Sequence, residues 1–533
     1  MAYKCIENGC NNEIFKGNDR CALHCDKSNC SSGLDRLLLS EFYKLLCSYI
    51  VNELFGGDYP TTGKFDEQHL KEFLKEGELK DEVILNGLKD EVIFFNKIAF
   101  PERKGRGPLD YLKLLRLFKG VNFNLCSFNC RSLELKNTAT FFQGCVFNSA
   151  WSLYDYHQLA LVDNILYQDC IFNGEVKNFI EDLDGDLYHL NSNQFNYGCE
   201  FNNHLNLANL AIKADLFSSQ QVSQNYSLEI EKFTLSNARI GGKFAINNLS
   251  SKALSFSDVE FDGKFELKNS SVKNIEITNC NFSKVSDFYN SKFECFKIEK
   301  SIFDEFSGFE RCSFGTASAP HLKQAAVFKF VTFFDFASFR NSKFYAGLKL
   351  AQANFKSPPN FYNASIESKF TDRETYRIIK HSFDSVGNKL EANKYYSLEL
   401  KAYKEELQSK KHIAKMNLIA ANLSQQRLVF FINYYGSNFG QSFFRPIGII
   451  SGLMLVFMLL VLGYEANLLY RIAPSYNESI ACFVGFFNNF SKALIPFKPL
   501  QREGMEFLSL FFGVIFSVLI WLTITAVKMH TRR

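Results

Sequence analysis

Residues 256–309 read FSDVEFDGKFELKNSSVKNIEITNCNFSKVSDFYNSKFECFKIEKSIFDEFSGF, and within them apolar side chains return every 21 positions: Phe261, Phe282 and Phe303, then Leu267, Phe288 and Phe309. The register extends outward through Leu235/Phe256, Ile240/Phe261, Phe244/Phe265, Phe293/Phe314 and Phe334/Phe355. A fixed period near 20 residues, with polar Asn, Ser, Lys and Asp between the apolar positions, describes a stacked solenoid in which each coil adds an inward-pointing rung. Leucine-rich repeats share the period but need Leu at fixed offsets and an Asn ladder. Here Phe, Ile, Val and Cys hold the inner positions and no helix-length stretch separates them, so a right-handed β-helix is expected.

Upstream, a C-x-F core repeats at 126/128, 145/147, 170/172, 199/201 and, further on, 280/282. A small apolar thiol two residues before Phe alternates as a strand requires, so these cysteines are expected to be rungs of the ladder and not ligands. Over residues 120–366 the pattern resembles pentapeptide-repeat proteins, whose five-residue units build a four-sided β-helix; residues 173–230 are expected to hold an insertion. Some members of that family imitate DNA through acidic faces, whereas residues 233–366 carry 17 basic against 12 acidic side chains. The order FPERKGRGPLDYLKLLRLFKGVNF at 100–123, then the repeats, then two apolar segments, resembles bacterial membrane proteins with pentapeptide repeats.

The chain has 533 residues, enough for several folded units, and a formal net charge of only +4, so charge balance does not support a nucleic-acid partner. Phe is the outlier, at 58 residues against 2 Trp. Six of the 15 cysteines precede residue 48 and eight fall between 126 and 312, at spacings that suit a reducing compartment. No basic stretch followed by an apolar core opens the chain, so the body is expected to be cytoplasmic.

Residues 446–464 and 507–527 are apolar and uncharged over lengths that cross a bilayer core of roughly 30 Å. Lys410, Lys411, Lys415, Arg427 and Arg445 precede the first segment without an acid among them from 407 to 445, while residues 465–506 hold four bases and four acids. That asymmetry predicts a two-span protein of the inner (plasma) membrane with both termini in the cytoplasm. Phe430, Phe431, Tyr434, Tyr435, Phe439, Phe443 and Phe444 crowd the approach to the first span, as at a lipid interface.

At the N-terminus, Cys5-x4-Cys10-x10-Cys21-x2-His24 is two close pairs on a short arm, the layout that closes a tetrahedron around structural Zn2+. Cys25 and Cys30 are alternates for the fourth ligand. So small a segment has almost no core and draws its folding energy from the metal. The pairs resemble small zinc-ribbon-like modules.

Helical spacing at 34–56 and 81–97 predicts cap helices for the solenoid, Thr371-Asp-Arg-Glu374 reads as a capping box opening a helix toward Val386, and a second helix is expected over 389–409. Asp182, Asp184 and Asp186 begin a calcium-loop pattern without its distal Glu and read as a solvated turn; Arg103–Arg106 reads as an exposed basic turn. No Walker loop, GxGxxG or GxSxG is present, and no enzymatic activity is expected. The expected layout is therefore a zinc module (1–33), a helical cap (34–119), the β-helix (120–366), a helical linker with an interfacial segment (367–443), and a two-helix transmembrane region (444–533). Between the spans, residues 479–497 form a re-entrant or interfacial loop in which Val484, Gly485, Asn488, Asn489 and Ser491 are candidate pore residues. Two functions follow: a membrane-anchored interaction or sensor scaffold for a cytoplasmic protein partner, or, as the alternative, a homo-oligomeric non-selective pore gated by the cytoplasmic body.

Overall fold

The computed structural model describes residues 4–27, 34–55, 88–102, 110–135, 138–155, 165–178, 187–218, 226–316, 325–350, 352–367, 370–409, 417–465 and 505–531. These fall into two units, Met1–Phe370 and Thr371–Arg533.

The first unit is built from parallel strands wound in solenoid-like coils. Leu228–Ile240 lies beside Leu249–Phe261, placing Leu235 next to Phe256 and Ile240 next to Phe261. Ser271–Thr278 and Lys292–Glu299 follow in the same 21-residue register. Coil length varies on either side: Gly120 pairs with Ala139, Phe142 with Tyr167, Leu207 with Leu235, and Ile298 with Phe328.

Phe dominates because strands sit about 4.8 Å apart, which is also a good distance for parallel rings. Phe261, Phe282, Phe303, Phe333 and Phe355 form one column, with successive centroids 4.9, 4.5, 5.0 and 4.8 Å apart. A second column runs through Phe100, Phe128, Phe147, Phe172 and Phe201. At the corners the backbone turns left-handed, with φ near 55° at Asn248, Asn269, Asn290, Arg311, Asn341 and Asn363. Asn tolerates that region better than most residues, and at four of these six corners the next residue is small and inward: Ser270, Ser291, Cys312 and Ser342 are all buried.

Cys126, Cys145, Cys170 and Cys199 occupy equivalent positions and are fully buried. Their thiols donate to main-chain carbonyls one coil earlier, at Phe95 (3.4 Å), Phe123 (3.3 Å), Phe142 (3.6 Å) and Tyr167 (3.3 Å). They are core rungs.

Two expectations are overturned, the helix over 81–97 and the pairing of Phe334 with Phe355. Residues 92–96, read as the end of a helix over 81–97, form the strand Val92–Asn96 beside Gly120–Asn124; residues 81–87 lie outside the described residues. Phe95 stacks on Phe123 at 5.6 Å, so burial in the first coil overrides helical spacing. The stretch 173–230, expected to hold an insertion, supplies strands of its own, including Glu200–Ile212 beside Leu228–Ile240, and its coils are longer than 21 residues, Phe172 pairing with Phe201 and Leu207 with Leu235. Lastly, Phe355 pairs with Phe333 and not with Phe334, which is 48% exposed.

Helix α1, Leu34–Phe55, covers the first coil with Leu38, Phe42, Leu46 and Ile50. Phe42 meets Phe100 edge-on at 6.2 Å, and Tyr49 Oη donates to the Phe94 carbonyl. A short helix, α2 (Tyr111–Leu115), is capped by Asp110.

The second unit is helical. Helix α3 (Arg373–Ser385) is capped by Asp372, whose carboxylate accepts from Thr375 N at 2.8 Å, one residue after the cap expected at Thr371. After a left-handed Gly387, α4 (Lys389–Ser409) folds back on α3, burying Tyr376, Ile379, Phe383 and Tyr395. Then come α5 (Asn417–Ser437), α6 (Phe444–Glu465) and α7 (Glu506–Thr531). Between α6 and α7, Phe457, Phe512 and Phe516 pack with Ile450, Leu453, Val461 and Leu508. Away from this seam, Met454, Leu455, Met458, Leu459 and Leu462 on α6, and Phe511, Val514, Trp521 and Ile524 on α7, are exposed. The apolar stretches are 21 and 26 residues long, enough to cross a membrane, with 11% and 33% of their most apolar windows buried. A soluble core helix would hide its apolar residues.

Candidate metal centre

The N-terminal arm folds around two tight turns. Cys5 N donates to Asn12 O and Cys10 N to Glu7 O, with Gly9 at φ 84° completing the first turn. His24 N and Cys25 N both donate to Cys21 O, making the second. Together they bring one ligand atom each from Cys5, Cys10, Cys21 and His24 within 4.8 Å of one another, and this group could hold a metal ion.

The separations test the fit. Cys10 Sγ lies 3.7 Å from Cys21 Sγ, and His24 Nδ1 lies 3.3 Å from Cys21 Sγ and 3.6 Å from Cys5 Sγ. A tetrahedron with metal–sulfur bonds of about 2.3 Å and metal–nitrogen bonds of about 2.0 Å has edges of roughly 3.5 to 3.8 Å. Three thiols and an imidazole are therefore spaced as ligands of one ion.

Without a cation the cluster is electrostatically divided. Burial, with a neighbouring Cys21, pushes the Cys10 thiol up to about 12. Burial acts in the same sense on Cys5, but the Cys21 and Glu7 amides outweigh it and hold that thiol below its ordinary value. Desolvation lowers His24 and favours the neutral ring that a metal needs. Of the alternates, Cys25 is turned toward Ala22 O at 4.0 Å and is not in the cluster, and Cys30 lies outside the described residues.

The arm is fastened to the first coil. Ala99 N donates to Leu23 O at 2.9 Å, and Lys97 Nζ meets Glu7 at 2.8 Å. Lys27 is 5% exposed; its ammonium donates to the Leu23 and Cys25 carbonyls and lies 4.9 Å from the centre of the Phe42 ring. Sequence spacing held no hint of Lys27 or Glu7 in this role, because neither belongs to the ligand motif, Glu7 acts through Lys97 far along the chain, and Lys27 bonds main-chain carbonyls that any residue type supplies.

On the solenoid, His204 Nε2 lies 2.7 Å from Thr234 Oγ1, while its Nδ1 is 3.6 Å from Glu175. The hydroxyl–imidazole leg is a hydrogen bond and the carboxylate leg is too long for one, so the trio is a polar link between coils at the strand irregularity between Phe201 and His204. Asp182–Asp186, Arg103–Arg106 and the proposed pore residues Val484, Gly485, Asn488, Asn489 and Ser491 lie outside the described residues. Comparison with family models, curated proteins and solved structures finds no match to this chain.

Proposed function

We propose that the protein is a membrane-anchored, non-enzymatic interaction scaffold: α6 and α7 span the inner membrane with both termini cytoplasmic, and a right-handed, pentapeptide-repeat-like β-helix meets a cytoplasmic protein partner. The observation that carries the reading is the exposed apolar surface of two helices long enough to span, in a chain whose other large apolar side chains are mostly buried. The broad sheet offers a partner regular columns of polar side chains, among them the exposed Glu276 and the half-buried Lys297, paired at 2.9 Å.

Zn2+ is the ion that three thiolates and one imidazole suit best, and its role here is structural, since all four positions are filled by the chain. It holds the arm that covers the first coil. Elemental analysis is expected to give one zinc per chain, lost in the Cys5→Ser/Cys10→Ser variant. Equal metal in both would refute the site.

The scaffold reading is tested on the full chain in native membranes. A stoichiometric partner that resists alkaline extraction with it, and is released by Glu276→Lys/Lys297→Glu, supports the reading. A chain that purifies alone and passes current in planar bilayers overturns it in favour of a homo-oligomeric pore.

A further inference from the structure

Helix α5 carries an apolar stripe that, among the described residues, only Lys404 approaches, its ammonium 5.6 Å from the centre of the Tyr435 ring. Leu428, Phe431, Ile432 and Tyr435 recur at i, i+3, i+4 and i+7 and are 61, 57, 39 and 56% exposed, with Val429 beside them. The opposite side is firmly seated within the helical unit. Phe430 meets Tyr403 of α4 at 5.3 Å, Lys404 Nζ lies 3.5 Å from the centre of the Tyr434 ring, and a Cβ at Gly436 would come within 2.6 Å of Leu522 Cδ1 on α7. The helix is thus held with its apolar stripe outward.

The turn after α5 fixes where that stripe lies. Asn438, Phe439 and Gly440 are all left-handed, at φ 50°, 55° and 81°. Such a conformation is unfavourable for Phe. It is sustained by burial of Phe439 against Phe430 and Tyr434 and by the approach of Gly440 to Met529 at the end of α7. Phe443 meets His530 edge-on at 6.3 Å, and Asn393 Nδ2 of α4 donates to Met529 O at 2.6 Å. The exposed stripe therefore adjoins the end of the helix pair where α6 begins and α7 finishes.

Charge selects the occupant. From 407 to 464 and from 507 to the C-terminus there is no Asp or Glu, and Arg445 and Lys528 at this end are both exposed, while on the adjoining α4 Glu391 is paired with Lys394 and Glu399 with Arg377. A protein partner for a bare apolar stripe would not require that the helix bearing it and the start of the next be free of acids, whereas an anionic leaflet would favour it.

We infer that the C-terminal half of α5 lies in the headgroup–acyl boundary of an anionic phospholipid leaflet, with Arg445 and Lys528 on the phosphates beside it. This rests on the spanning role proposed for α6 and α7. The left-handed corner at 438–440 is the elbow between the in-plane helix and the span.

The chain's two tryptophans let the two ideas be tested apart. Trp151 is buried in the solenoid and serves as an unquenched reference, while Trp521 is exposed on α7. The full chain is placed in vesicles of phosphatidylcholine brominated either near the carbonyl or deep in the chain, with and without phosphatidylglycerol. In the wild type, quenching of Trp521 reports the span. In Phe431→Trp/Trp521→Phe, and in Tyr435→Trp/Trp521→Phe should the first misfold, the new tryptophan is expected to be quenched more by shallow bromine than by deep. Quenching of Trp521 without any at 431 or 435 overturns the inference and leaves the span; loss of both overturns both. Phosphatidylglycerol is expected to be enriched around the chain, and Arg445→Gln and Lys528→Gln each to weaken that preference about fivefold. An unchanged preference in the double variant overturns the anionic part.

Discussion

Aromatic side chains crowd both units, and they are treated in opposite ways. In the solenoid Phe282, Phe303 and Phe309 are at most 1% exposed and stacked ring on ring; in the helical unit Phe431, Phe444 and Trp521 are 57, 72 and 59% exposed. The same chemistry buried in one place and bare in another implies different surroundings for the two surfaces. The solenoid carries its own apolar environment, while the helices need one supplied from outside.

Matching truncations test that contrast most severely. Phe303→Ala removes the middle of a five-ring column with neighbours at 4.5 and 5.0 Å, and the cavity is expected to cost about 3–5 kcal/mol. Leu459→Ala, at a 60% exposed site on α6, is expected to cost under about 0.5 kcal/mol. Denaturant unfolding followed by hydrogen exchange reads both, unit by unit. Equal losses would erase the distinction.

How much of this was legible beforehand follows the regularity of the coils. Between Leu228 and Phe314 each coil has 21 residues, so a period drawn from the sequence lands on true neighbours. After that the register breaks: Ile298 finds Phe328, and the expected partner of Phe355 is wrong by one residue. One residue in a strand moves a side chain from core to surface, which is why Phe334 is exposed. Val92–Asn96 was hidden because its apolar run also suits a helix, and only the column through Phe123 decides otherwise. That Cys5, Cys10 and Cys21 belong to one cluster that could hold a metal ion was readable from spacing. His24 over Cys25 was not, since the choice depends on how the turn at Cys21 directs two adjacent side chains.

Glu266, a largely enclosed carboxylate of the solenoid, gives a smaller test. Glu266 is paired with Lys243 at 3.1 Å, Lys264 at 2.7 Å and Lys268 at 3.3 Å, and accepts from Asn247. Burial opposes its ionisation, yet Lys264, Asn247 and Lys243 outweigh it and bring the group down to about 2 from an ordinary 4.5. A depressed folded value means that the stabilisation is complete above 4.5 and disappears as pH falls toward 2. The loss is expected to be on the order of 2 kcal/mol, below the full linkage value because the lysines stay partly in water. Unfolding midpoints measured across that window should flatten in Glu266→Gln; an unchanged slope would show that the lysines do not hold the charge.

The corners offer the finest adjustment, because there the backbone asks for one conformation and the sequence answers unevenly. Asn290 at φ 56° suits it and its side chain donates to Asn269 at 2.9 Å, whereas Phe330 takes φ 55° with its ring 47% exposed. Left-handed backbone costs an ordinary residue about 1 kcal/mol, less for Asn and least for Gly. Asn290→Ala is therefore expected to lose about 1 kcal/mol and Asn290→Gly less, while Phe330→Asn should gain several tenths at the opposite kind of corner, where only the contact of Lys329 with the ring is given up. Both shifts are readable as midpoint changes in denaturant. If Phe330→Asn destabilised instead, the exposed ring would be holding its corner by packing, and the boundary between the buried and the bare aromatics would have to be redrawn to include it.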